Sequence, residues 1–74
     1  MPSFREGFLL FLGARVAYLR KEKKMSQLEL AIESGVSKSY LSDLERGKSN
    51  PSALTLRRIA LALHVDPGKL LEGL

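Results

Sequence analysis

Apolar residues in the first third of the chain recur at helical intervals, with Leu9, Leu12, Val16 and Leu19 forming one stripe. Ser3 and Glu6 stand ahead of it as Ser-x-x-Glu, which predicts a helix from near Phe4 to about Lys24, with Gly7 and Gly13 as places where it can bend. Two shorter stripes follow, Leu28, Ala31 and Ile32 after Ser26, then Leu41 and Leu44 after Ser37. Each predicts a short amphipathic helix with one buried face, the second running from Lys38 to Arg46. Ser26 and Ser37 are placed to cap them, and Glu29 completes a capping box with Ser26. Gly35 ends the first of the pair, since glycine takes the left-handed conformation without a Cβ clash. Only Gly35 and Val36 intervene, so the two helices must cross steeply, with Ala31 the small residue at the crossing.

Pro51 stops any helix entering from Lys48-Ser49-Asn50, and Ser52 caps one predicted from Ala53 to Leu63, with Leu54, Leu56, Ile59, Ala60 and Leu63 turned inward. Asp66-Pro67 opens a last helical turn carrying Leu70, Leu71 and Leu74. The pattern predicts an all-α chain of about five helical elements forming one domain over residues 1–74. Internal repeats, low-complexity tracts and domain linkers are missing from the sequence.

On the second helix of the pair, Tyr40, Leu41 and Leu44 belong to the interior or its margin, which leaves Lys38, Ser39, Ser42 and Asp43 facing outward together. Such short or flexible polar side chains suit the edges of base pairs. Lys38 can donate to guanine O6 and N7, Ser39 and Ser42 can give or accept one bond, and Asp43 can accept from cytosine N4 or neutralise a nearby cation. A solvated helix face is the plainer alternative. Phosphate contacts would come from Arg46, Lys48 and Asn50 after this helix, from Ser37 and the Tyr40 hydroxyl, and from the helix N-terminus at Gln27. The Arg20-Lys21-Glu22-Lys23-Lys24 run reads as a solvated helix end, at most adding a more distant field.

These residues resemble the Cro-type, lambda-repressor-like (XRE-type) helix-turn-helix domains. The likeness rests on Ser26, Gln27, Leu30, Ala31, Gly35, Val36, Leu41, Leu44, Glu45, Arg46 and Gly47, then Asn50-Pro51 and Ile59-Ala60-Leu61-Ala62-Leu63. It covers roughly Leu12 to Leu71, with the helix-turn-helix at about 26–47 and residues 1–11 as an extra apolar extension. Ser34 departs from the family, which often has an apolar or long polar residue there. The resemblance implies a five-helix bundle whose second and third helices form the motif. It also implies Gln27 as a phosphate clamp and a partly buried ion pair between Arg20 and Glu45. The function it implies is a double-stranded-DNA-binding transcriptional regulator, a repressor acting as a homodimer on a palindromic operator.

Composition adjusts this picture in three ways. A chain of 74 residues, 45% of them hydrophobic, builds a marginal core, which dimerisation would reinforce. Leu70, Leu71 and Leu74 with Phe4 and Phe8 are the expected contact, and Phe11 and Leu10 are further surplus apolar residues that either extend the core or widen an interface. A net charge of +4 and a pI near 9.8 fit a phosphate-binding surface. The absence of cysteine is compatible with a reducing cytoplasm. The Phe8-Leu9-Leu10-Phe11-Leu12 run is too short for a membrane span and is followed at once by Arg15, so neither a signal peptide nor a membrane role is expected. A lone His64 at a helix end, with no phosphate loop or nucleophile motif, argues against an enzyme, and no metal, cofactor or small-molecule ligand is expected. The rival reading is a protein-interaction module, an antitoxin-like or adaptor bundle gripping a partner with the N-terminal apolar residues.

Overall fold

Four serines open four α-helices. In the computed structural model, which describes residues 3–73, α1 spans Phe4–Glu22, α2 Gln27–Ser34, α3 Lys38–Glu45 and α4 Ala53–Ala62, and a 3-10 turn at Pro67–Leu71 closes the fold. Ser3, Ser26, Ser37 and Ser52 are the respective N-caps, each accepting a hydrogen bond from the amide three residues on. The capping box at α2 is complete: the Ser26 hydroxyl accepts from the Glu29 N–H at 3.0 Å, and the Glu29 carboxylate accepts from the Ser26 N–H at 2.9 Å. Gly35 ends α2 at φ +77°, in the left-handed region, with its N–H bonded to the Ala31 carbonyl.

The helix ends differ slightly from expectation because three chain reversals come early. Lys24 at φ 59° stops α1 at Glu22, and His64 at φ 58° follows Leu63 as the cap of α4. Gly47 at φ +77° leaves Arg46 as the cap of α3. The fifth element is a 3-10 turn rather than an α-helix. Asp66 opens it by accepting from the Gly68 N–H at 3.1 Å, and the Lys69 N–H reaches back only three residues, to the Asp66 carbonyl.

Leu12, Val16 and Leu19 of α1 meet Leu30 and Ala31 of α2, Leu41 and Leu44 of α3, Ile59, Ala60 and Ala62 of α4, Leu63 and Leu70 in one core. The stripe expected on α2 is corrected. Leu28 is 52% and Ile32 71% exposed, whereas Leu30, Ala31 and Ser34 are buried. Four of the five residues from 28 to 32 are apolar, so two faces of this eight-residue helix satisfy the same period. Packing between α3 and α4 selects the face with Leu30. Ser34, the departure from the family pattern, is accommodated inside because its hydroxyl donates to the Leu30 carbonyl at 2.6 Å. Leu54 is likewise exposed rather than inward, while Leu56 packs at the margin beside Ile59, Ala60 and Leu63.

A further correction concerns the C-terminal end of the described residues. Leu70 was expected at a dimer contact but is fully buried, because the 3-10 turn lays it between α1 and α4. Leu71 remains exposed, and Leu74 lies outside the described residues. α1 runs without a break through Gly7 and Gly13. A Cβ at Gly13 would collide with the carbonyl oxygens of Leu44 and Glu45, so the glycine lets α1 touch the last turn of α3.

Candidate nucleic-acid interface

The outer face of α3 follows from its inner one. With Leu41 and Leu44 buried and Tyr40 packed against the core, helical geometry sends Lys38, Ser39, Ser42 and Asp43 to the opposite side, as the sequence predicted. Lys38 and Ser39 are exposed, and Ser42 and Asp43 are half-exposed. Arg46 joins this side and donates to the Asp43 carboxylate at 2.6 Å, so two candidate DNA contacts neutralise each other in the free chain. Lys38 and Lys48 take part in none of the ion pairs among the described residues. The ridge therefore carries donors, one partnered acid and two cations available to an anionic ligand.

At the far end of the motif, α1 and α2 converge on one carboxylate of α3. Arg20, from the end of α1, donates through Nε to Glu45 Oε2 at 2.7 Å and through Nη2 to Glu45 Oε1 at 3.0 Å. Its Nη1 donates to the Met25 carbonyl at 2.8 Å, in the loop that leads into α2. Gln27, the first residue of α2, donates from Nε2 to Glu45 Oε1 at 3.0 Å. The side chains of Arg20 and Glu45 are 11% and 6% exposed, so this is the partly buried pair that the resemblance implied. Hydrogen bonding to Glu45 outweighs desolvation and raises the Arg20 pKa above its usual value, keeping the cation in place.

The remaining expected contacts border the ridge. Ser37 is exposed while its oxygen caps α3 at the Tyr40 N–H, 3.0 Å away. Lys48 and Asn50 are exposed in the loop after α3. Asn50 shares a shallow cleft with Phe4, Arg5, Phe8 and Leu9, so the N-terminal turn of α1 lies beside this loop. Sequence reasoning did not show that proximity, because it depends on the path of α1 across the end of α3. Gly13 was also missed as a packing residue; its signal was a glycine in mid-helix, where it is disfavoured without a reason. Among the described residues no cluster of His, Asp or Glu could hold a metal ion, and no helix is long and apolar enough to cross a membrane.

Comparison with known proteins follows the same outline. The chain is 44% identical over 55 residues to the immunity repressor protein of Bacillus phage phi105, an alignment covering 74% of this chain and 38% of the repressor. It is 44% identical over 62 residues to the HTH-type transcriptional regulator SinR of Bacillus subtilis, covering 82% of this chain and 56% of SinR. These curated relatives are longer, and the chain spans between about two fifths and three fifths of their length. A crystal structure of SinR, the master regulator for biofilm formation, in complex with DNA superposes with a TM-score of 0.78 at 44% identity, over 82% of this chain and 98% of that one. The restriction-modification controller protein C.AhdI from Aeromonas hydrophila superposes at 0.83 with 39% identity, over 84% of this chain and 94% of that one. A family model described as Helix-turn-helix (HTH_3) matches residues 16–70, from the middle of α1 to the buried Leu70, and the chain belongs to that family.

Proposed function

We propose that this chain is a sequence-specific double-stranded-DNA-binding transcriptional regulator, a repressor that works in the cytoplasm as a homodimer on a palindromic operator and catalyses no reaction. The observation that carries the reading is the polar outer face of α3, held outward by the burial of Leu41 and Leu44. Inserted in the major groove, Lys38, Ser39, Ser42 and Asp43 would meet base edges. Gln27 and the start of α2 would hold one phosphate strand, while Ser37, Tyr40, Arg46, Lys48 and Asn50 would hold the groove's borders. Asp43 and Arg46, paired in the free chain, would separate toward base and phosphate. The related regulators, including one crystallised with DNA, support the same reading.

The dimer contact we assign to Leu71, Phe4 and Phe8, without the buried Leu70. Phe4, Gly7, Phe8 and Phe11 line one apolar cleft, and Phe11 lies close to Gly73, so the segment after the 3-10 turn borders that cleft. Selection of bound duplexes from a randomised pool tests the reading. The expected product is a two-fold-related pair of half-sites with centres about 34 Å apart. With roughly five phosphates neutralised per half-site, log affinity should fall with log salt at a slope near −4 to −5 per subunit. No enrichment, together with salt-insensitive binding to a protein through the aromatic cleft, would select the interaction-module reading instead.

A further inference from the structure

We infer that Glu45 is a positioning residue for Gln27, so that the buried ion pair sets the DNA-contacting start of α2 as well as tying α1 to α3. The inference rests on the DNA-binding reading and deepens it. Glu45 Oε1 accepts from both Arg20 Nη2 and Gln27 Nε2, each at 3.0 Å. Arg20 also holds the Met25 carbonyl, two residues before Gln27. One arginine thus fixes both the acceptor that Gln27 uses and the backbone that delivers Gln27. Every buried polar side-chain atom of the described residues has a partner, so the network is closed on its inner side.

A glutamine side chain has two N–H donors and one carbonyl. With one N–H engaged by Glu45, the side chain loses its rotational freedom before any ligand arrives, and the second N–H and the carbonyl stay available. An oxygen anion at the start of α2 then meets an oriented donor beside the free amides of the first helical turn. Immobilising a side chain on binding weakens association by roughly 0.5–1.5 kcal/mol, which converts to about two- to tenfold in affinity at 1.4 kcal/mol per decade. Glu45 removes that loss in advance. A purely structural ion pair would have no such effect.

The two roles separate because a buried ion pair can be exchanged for apolar residues of similar volume without loss of stability. Arg20→Met with Glu45→Leu keeps α1 against α3 but deletes the acceptor for Gln27. The expected result is a variant that melts at or above the wild-type temperature and binds the selected duplex about two- to tenfold more weakly. In that background Gln27→Met should add little further loss, whereas in the wild-type chain it weakens binding by a similar factor. Wild-type affinity in a stable double variant, or an undiminished effect of Gln27→Met there, overturns the inference. A second measurement needs neither DNA nor the double variant: the side-chain amide nitrogen of Gln27 in the wild-type protein should show an NMR order parameter close to that of the backbone. A Gln27 amide as mobile as that of an exposed glutamine overturns the inference alone, while failure of the wild-type chain to bind any duplex overturns the proposed function.

Discussion

The two helices of the motif are a matched pair with opposite surfaces. Both α2 and α3 have eight residues, both start at a serine cap, and each buries two apolar side chains: Leu30 and Ala31 in α2, Leu41 and Leu44 in α3. What they leave outside differs. α2 exposes Leu28 and Ile32 with the acids Glu29 and Glu33, which repel phosphate, while α3 exposes Lys38 and Ser39 and half-exposes Ser42 and Asp43. Both inner faces join the same core, and only α3 presents a lysine and hydroxyls suited to base edges. α2 contributes through its first turn, where Gln27 and the capping box sit.

The inner faces give the strongest test of this comparison. Leu30→Ala and Leu41→Ala should each destabilise the fold by about 2–5 kcal/mol in denaturant unfolding. Ile32→Ala should stay within about 0.5 kcal/mol, as an exposed substitution does. A costly Ile32→Ala would return Ile32 to the buried face and break the comparison. The outer faces differ by somewhat less. Lys38→Ala should weaken binding to the preferred duplex by about 1–3 kcal/mol and relax its sequence preference. Ile32→Ala should leave binding unchanged in the same titration. If Ile32→Ala alters sequence preference, then α2 reads bases as well.

The caps separate the helices more finely. Ser26→Ala and Ser37→Ala should each lower stability by about 1 kcal/mol, measured by thermal unfolding. The smallest effect is a pH dependence confined to α2. The Glu29 carboxyl is held below its ordinary pKa, first by its hydrogen bond from the Ser26 backbone N–H and then by the Ser26 side chain. Because the folded value is depressed, this support is present above the unfolded carboxylate pKa and is lost as pH falls through the folded one. The corresponding position of α3 is Tyr40, which carries no carboxylate. Amide exchange at Glu29 should therefore speed up on acidification into and below the usual carboxylate range, relative to exchange at Tyr40. Equal acceleration at both sites would remove this distinction.

Much of this arrangement was legible in the residues alone, for reasons of local chemistry. Serine caps, the Ser-x-x-Glu box, Gly35 and Asp66-Pro67 act within one turn of the chain, so they mark helix starts and stops wherever the rest of the molecule lies. The polar ridge of α3 was equally clear, because Leu41 and Leu44 admit only one inward face. The third dimension decided matters with no local signature. It chose Leu30 over Leu28 and Ile32, since an eight-residue helix with neighbouring apolar residues fits two faces and only the packing of α3 and α4 distinguishes them. It placed Leu70 in the core, set Gly13 against the carbonyls of Leu44 and Glu45, and directed the Gln27 amide to Glu45. Each of these joins residues far apart along the chain, and such contacts exist only once the helices are in place.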